Sequence, residues 1–363
     1  MSCSVFLSSS AVVPLLWAIG PLALQARSMS AGRRSIARRS EAQTASHTRV
    51  AHSSRHGSDQ CPPPAVDDVL IVDWSASATR KKGSDSIWIS HVEVGSSAVV
   101  KALVNPPTRA EAFAWLLDCI STAQDSGRRI LCGFDFSLGY VEGYADLLAA
   151  GFGGIPEGAK SAFDVTILIT SRIVHADAFD NANNRFEAAA LINAKTGRAL
   201  FWGHPTGQAY ASLSRTKKDL PANLEPNTLS QRRITESGLQ VATNWQLYGI
   251  GSVGSQVLTG LPILQKLRVA FPETGRVWPF EDISAPSSSV IFAEVWPTMH
   301  AHPIPGIAVK DAWQVQSQAL HFAALANDNE RWAALFHPPS WHNLSPQQRQ
   351  AVVQEEGWIL GVP

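Results

Sequence analysis

Val69-Leu-Ile-Val-Asp-Trp74 is an apolar run, rich in β-branched residues, that ends on a carboxylate. Its length and composition predict a strand buried on both faces, ending at Asp73. After a polar, Gly-containing turn, Asp85-Ser-Ile-Trp-Ile-Ser-His-Val-Glu-Val94 alternates apolar and polar residues, the pattern of a half-buried strand. Gly95-Ser96-Ser97 turns the chain into a third strand, Ala98 to Val104. Three strands joined by short turns make an antiparallel meander. Pro106-Pro107-Thr108 caps a helix from Arg109 to about Gln124, whose Ala112, Trp115, Leu116, Cys119 and Ile120 recur at helical spacing. Arg129-Ile-Leu-Cys-Gly-Phe-Asp-Phe136 then reads as a fourth strand, parallel to the first through the helical crossover.

Residues from about 140 to 286 give no clear strand signal in their first half. Ser289-Val-Ile-Phe-Ala-Glu-Val-Trp296 is a fifth strand closed by Pro297, and Val309 to Ala326 is an amphipathic helix. The order predicts an α/β fold with a mixed sheet. Its core spans 66–140 and 287–330, and a large, mainly helical insertion spans 141–286. Residues 331–363 form shorter helices anchored on the core by Trp341, Trp358 and Leu360.

The chain has 363 residues, of which 45% are hydrophobic and 17% charged. That balance excludes a wholly disordered chain, a coiled coil and a collagen-like repeat. Lys+Arg and Asp+Glu are 30 each, but residues 1–60 carry seven Arg against Glu41 and Asp59. Residues 61–363 therefore hold 23 basic and 28 acidic residues. A mildly acidic body argues against non-specific duplex binding unless basic residues cluster in space. Residues 1–65 read as a disordered leader. Their apolar run Ala11 to Leu24 and the Arg- and Ser-rich stretch after it suit either a targeting segment or an extension from an upstream start codon. Cys3, Cys61, Cys119 and Cys132 show no CxxC spacing; Cys119 and Cys132 read as buried free thiols. Neither a disulfide framework nor a zinc site is expected, which points to a cytoplasmic location and no membrane anchor.

Carboxylates carry the chemistry. Asp73 ends the first strand, Asp135 ends the fourth between Phe134 and Phe136, Glu294 lies late in the fifth, and Asp311 is in the first turn of the following helix. A carboxylate in an apolar strand costs several kcal/mol if unpaired. If the first, fourth and fifth strands are neighbours, their carboxyl groups converge, and a hard divalent cation relieves their repulsion. Oxygen-only ligation points to Mg²⁺ or Mn²⁺.

The strings Val72-Asp-Trp-Ser-Ala76, Asp85-Ser-Ile-Trp-Ile89, Gly133-Phe-Asp-Phe-Ser-Leu-Gly139 and Ala293-Glu-Val-Trp-Pro297 resemble those of an uncharacterised family of predicted nucleases with an RNase H-like fold. Some bacterial relatives of that family carry labels from molybdopterin or cobalamin biosynthesis, which these residues do not support. The resemblance spans about 67–330. It implies an RNase H-like mixed sheet and a metal-dependent phosphodiester hydrolase acting on a nucleic acid or nucleotide phosphate. It also implies metal ligation by Asp73, Asp135 and Glu294, with Asp311 beside them and one or two metals bound. Lys82 and the pair Arg232-Arg233 are the basic residues placed to take a phosphate. A rival reading is an actin-like or sugar-kinase-like phosphotransferase, but Asp73-Trp-Ser lacks the glycine those folds place two residues after the aspartate. A non-catalytic role is the third.

Other signals are weaker. Gly249-Ile-Gly-Ser-Val-Gly254 matches GxGxxG, but a dinucleotide site needs a strand before it. His300-Ala-His302 follows the Glu294 strand, where alternate residues point the same way.

Overall fold

The computed structural model describes residues 63–363. The leader reading, with Cys3 and Cys61, falls almost wholly outside them. The meander is β1 (Asp68–Asp73), β2 (Trp88–Glu93) and β3 (Val99–Val104). Helix α1 (Arg109–Asp125) follows; the Thr108 hydroxyl accepts the Glu111 N–H as its N-cap. It leads to β4 (Ile130–Phe134). Then come α2 (Tyr144–Gly151), α3 (Ala162–Ile173) and α4 (Arg185–Thr196). Two-residue strands β5 (Arg198–Ala199) and β6 (Glu225–Pro226) pair with each other. Helix α5 (Gly254–Ala270), β7 (Gly275–Val277) and β8 (Val290–Glu294) complete the sheet. Helices α6 (Lys310–Ala326), α7 (Asn329–Phe336) and α8 (Pro346–Ala351) close the chain, with a π-helical turn over Val352–Glu356.

The six-stranded sheet runs β3-β2-β1-β4-β8-β7. Strands β1, β2 and β3 are antiparallel, while β1, β4, β8 and β7 are parallel. The expected mixed α/β sheet is therefore present. The 141–286 segment holds α2 to α5, but much of it, from about 197 to 253, is irregular, and it also supplies β5, β6 and β7. The three-residue edge strand β7 lies between Pro272 and Pro279, too short to show a period.

Side chains alternate across the sheet. Leu70, Val72, Cys132, Phe134 and Phe292 enter the core under α1, α3 and α5. Val69, Ile71, Leu131, Ile291 and Ala293 pack against Val315, Ala319 and Phe322 of α6. The central strands are covered on both faces, which explains their unbroken apolar sequence. Among the described residues, no helix is long and apolar enough to cross a membrane.

The C-terminal segment ties the layers together. Trp358 and Leu360 are buried, as expected, whereas Trp341 is half-buried and stacked on Trp278. Glu355 accepts the N–H groups of Gly143 and Ala145 at the start of α2, and Glu356 accepts those of Glu142 and Ile234. The Leu360 N–H donates to the Glu294 carbonyl, extending β8 by one bridge to Ile359. Gly139 lies against this bracket, where a Cβ would run into the Glu355 carbonyl oxygen.

We expect Gly139→Ala to destabilise the fold by about 2 kcal/mol or more, read as a lower urea midpoint. Burial pushes Glu355 up to about 7 against the opposing backbone N–H groups. The folded state then holds a proton that the unfolded chain releases near its ordinary value of 4.5. Stability from this group should therefore be present below about pH 4.5 and fall as pH rises towards 7. A Glu355→Gln variant should flatten that slope, measured by denaturant unfolding across the range.

Candidate functional site

Parallel register places the strand ends. Val72 of β1 pairs with Phe134 of β4, and the Asp135 N–H donates to the Val72 carbonyl, so Asp73 and Asp135 leave neighbouring strands side by side. Both lie one residue beyond side chains of the α1/α5 core, and so on the face covered by α6. The Trp74 N–H donates to Asp135 Oδ1 at 2.7 Å. The Trp74 ring turns back into the core and packs 5.9 Å from Phe136. Both aspartates are half-buried and their carboxyl groups share a hydrogen bond.

Burial, then the charges of Asp135, Asp311 and Asp85, push Asp73 well above the carboxylate range. Burial raises Asp135 to about 6, opposed by the hydrogen bonds from Asp73 and the Trp74 N–H. The two carboxyl groups therefore resist being ionised together. Asp311 comes from the first turn of α6, and its Oδ2 accepts the Asp85 N–H at 2.7 Å. Asp85 is exposed at φ 51°, a left-handed conformation that aspartate tolerates. The Ser75 hydroxyl donates to its carbonyl at 3.2 Å and holds the β1–β2 loop folded over the site.

Glu294 does not join this group. It pairs in register with Phe134, so its side chain lies on the opposite face from Asp73 and Asp135. There it takes two bonds from Arg233, Nη2 to Oε1 at 2.6 Å and Nη1 to Oε2 at 2.7 Å, and one from the Leu138 N–H. Arg233 also bonds Glu236 and the Glu356 carbonyl. Burial works against the charged guanidinium, but Glu294 and Glu236 outweigh it and hold Arg233 above its ordinary value. Glu294 and Arg233, expected as a ligand and a phosphate contact, satisfy each other in the interior. Arg232 is exposed and donates to the Leu239 carbonyl. Lys82 is exposed on the β1–β2 loop, with no ion pair among the described residues.

The histidines also lie apart from the aspartates. The His300 ring stacks on that of His321 at 4.1 Å, ten residues along α6 from Asp311, or roughly 15 Å at 1.5 Å per residue. His302 is exposed, and its backbone N–H donates to the Ser317 hydroxyl. The Gly249–Gly254 loop runs into α5, but before it Gln246 makes only an isolated bridge with Trp202. The strand that a dinucleotide site needs is missing there.

One residue central to the site carried no sequence signal. Arg109, the first residue of α1, is fully buried. It donates to the carbonyls of Ser75 (3.0 Å), Ser77 (2.8 Å), Asn181 (2.6 Å) and Ala176. With no carboxylate hydrogen-bonded to it, burial pulls it down to about 10. Asn181 adds bonds to the Ser77 and Thr79 carbonyls. Together these residues fix the backbone that leaves β1 at Asp73.

Among the described residues, no group of three or more His, Cys, Asp or Glu is close enough to hold a metal ion. The donor set still suits a hard cation. Mg²⁺ commonly binds through one or two carboxylates and keeps its other positions for water and substrate phosphate. A cation would relieve the repulsion between Asp73 and Asp135, to which Asp311 adds.

Replacing Arg233 with Met should cost about 3–5 kcal/mol, because it leaves Glu294 and Glu236 buried without a countercharge; chemical denaturation measures this. Comparison with family models, with curated proteins and with solved structures finds no match for this chain.

Proposed function

We propose that this chain is a Mg²⁺- or Mn²⁺-dependent phosphodiester hydrolase on an RNase H-like scaffold. One observation carries the reading: Asp73 and Asp135 leave adjacent parallel strands side by side, and the charge of Asp135 works against ionisation of Asp73. Keeping two carboxylates half-buried and in contact costs stability, which makes the pair a functional-site candidate. The arrangement of the sheet supports the scaffold reading. An antiparallel meander flanks parallel strands, and the first and fourth strands are neighbours, as the resemblance implies.

In this reading Asp73 and Asp135 hold the cation. Asp311 stands opposite them at the start of α6 and orients water by accepting a hydrogen bond. A bound divalent cation would supply a Lewis acid for a phosphoryl oxygen and lower the pKa of an attacking water. Arg109 and Asn181 keep the β1 backbone rigid, so the carboxylates hold their spacing through the reaction. Glu294 stays outside the metal shell and anchors β8 through Arg233.

Calorimetric titration of Mn²⁺ and Mg²⁺ tests this. Asp73→Asn and Asp135→Asn should each weaken binding by more than the roughly 10–100-fold that losing an outer-shell partner costs. Glu294→Gln should bind as the wild type does. Loss in Glu294→Gln with retention in Asp73→Asn would overturn the assignment. Cleavage of single- and double-stranded DNA and RNA should follow the same order.

A further inference from the structure

Beyond the end of β1, on the α1/α5 side of the sheet, the structure carries a cation of a different kind. Arg185, the first residue of α4, is half-buried. Its Nε donates to the Ser255 hydroxyl at 3.0 Å and its Nη1 to Asn183 Oδ1 at 2.6 Å. The guanidinium carbon sits 4.2 Å from the centre of the Phe186 ring. These contacts fix the plane of the guanidinium without neutralising it. Its Nη2 makes no hydrogen bond and is not among the buried unpartnered atoms, so it faces solvent.

Nearby acids are already engaged. Asp177 pairs with Lys266, Glu111 with Arg80 at 2.8 Å, and Asp85 with Lys81 at 3.4 Å. The exposed Glu187 accepts the Tyr210 hydroxyl. Arg185 and Lys82 have no ion-pair partner among the described residues. An oriented arginine with an open donor and no hydrogen-bonded carboxylate, Glu187 acting on it only through space, matches the geometry of a phosphate oxygen.

Hydrogen bonds connect this arginine to the backbone that follows Asp73. Asn183 Nδ2 reaches the carbonyls of Ala76 and Ser77 at 3.4 Å, and Gln256 Nε2 donates to the Trp74 carbonyl at 2.8 Å. Arg185 thus stands beside the loop that leaves Asp73. Exposed aromatic rings flank it on both sides. On one side Phe179 is 83% exposed, and its carbonyl takes a hydrogen bond from Arg80 at 3.2 Å. On the other, Tyr248 is 51% exposed and meets Phe186 edge-on at 6.5 Å. Burying neither ring leaves both free to stack. A continuous rim therefore runs Lys82, Arg80, Phe179, Asn183, Arg185, Tyr248. It sets Lys82 and Arg185, which have no ion-pair partner among the described residues, beside the exposed rings of Phe179 and Tyr248, a composition that suits a single strand of nucleic acid without reading its sequence.

We propose that this rim is a binding track for single-stranded nucleic acid, in which Arg185 takes a phosphate other than the one cleaved and Phe179 and Tyr248 stack on bases. The proposal rests on the hydrolase reading for its direction, since the track runs along the loop that leaves β1 after Asp73. It names the substrate of that site as a single strand.

Fluorescence anisotropy of a labelled oligothymidylate with the full chain, in EDTA, separates binding from cleavage. Any contribution from the Arg-rich first sixty residues is common to every variant and cancels in the comparison. Arg185→Gln should weaken binding about tenfold and reduce the salt dependence by about 0.7 in log–log slope, one single-strand phosphate contact. Arg185→Lys should recover part of both. Phe179→Ala and Tyr248→Ala alter exposed rings and should each weaken binding by about fivefold or more with an unchanged thermal melt. Equal affinity and slope in Arg185→Gln, tighter binding of a duplex than of the strand, or no strand binding by the wild type would each overturn the track. A strand that is bound through Arg185 but not cut when Mn²⁺ is added would support the track and remove the hydrolase reading.

Discussion

The register between β1 and β4 is the constraint on which the site depends. Setting Val72 opposite Phe134 puts Asp73 and Asp135 on the same face of adjacent strands, at the end where both run out of the sheet. A slip of one residue would turn one carboxylate into the α1/α5 core and leave the other alone. The register is fixed from both faces, because each of these strands buries apolar side chains above and below the sheet. The cost of holding two carboxyl groups together is offset by that packing and by the Trp74 N–H aimed at Asp135.

The molecule handles its buried charges in two ways. Glu294 and Glu236 are neutralised by Arg233, and Asp68 at the start of β1 bonds Arg128 and His91. Such groups are structural. Among the described residues, Asp73 and Asp135 have no cation paired with them, and neither Arg109 nor Arg185 has a carboxylate hydrogen-bonded to it. Opposite charges that would cancel if brought together are kept apart by the β1 loop. That separation distinguishes a working surface from an ion-pair network.

Much of the sheet was legible because its central strands are continuous apolar runs and its turns are rich in Gly, Ser and Pro. The adjacency of Asp73 and Asp135 followed from their shared place at strand ends. Glu294 looked equivalent, but which face a strand residue occupies depends on its partner's register, and the sequence of β8 alone does not contain that. Its true partner, Arg233, is 61 residues away. Asp85 was hidden in a polar loop, and its approach to Asp311 spans 226 residues. Arg109 and Arg185 open helices, where arginine usually faces water, so neither burial nor the lack of an acidic partner was readable.

The bracket formed by Glu355, Glu356 and Leu360 has a consequence for how the protein is made. These residues cap α2, hold Arg233 and extend β8, closing contacts up to 214 residues apart. On the ribosome, strands β1 to β4 emerge long before the groups that seal their layers. The nascent chain must carry open apolar faces until Glu355, Glu356 and Leu360 leave the exit tunnel. Its burden therefore falls on the cell's holding chaperones, and aggregation at this stage competes with completion of the fold.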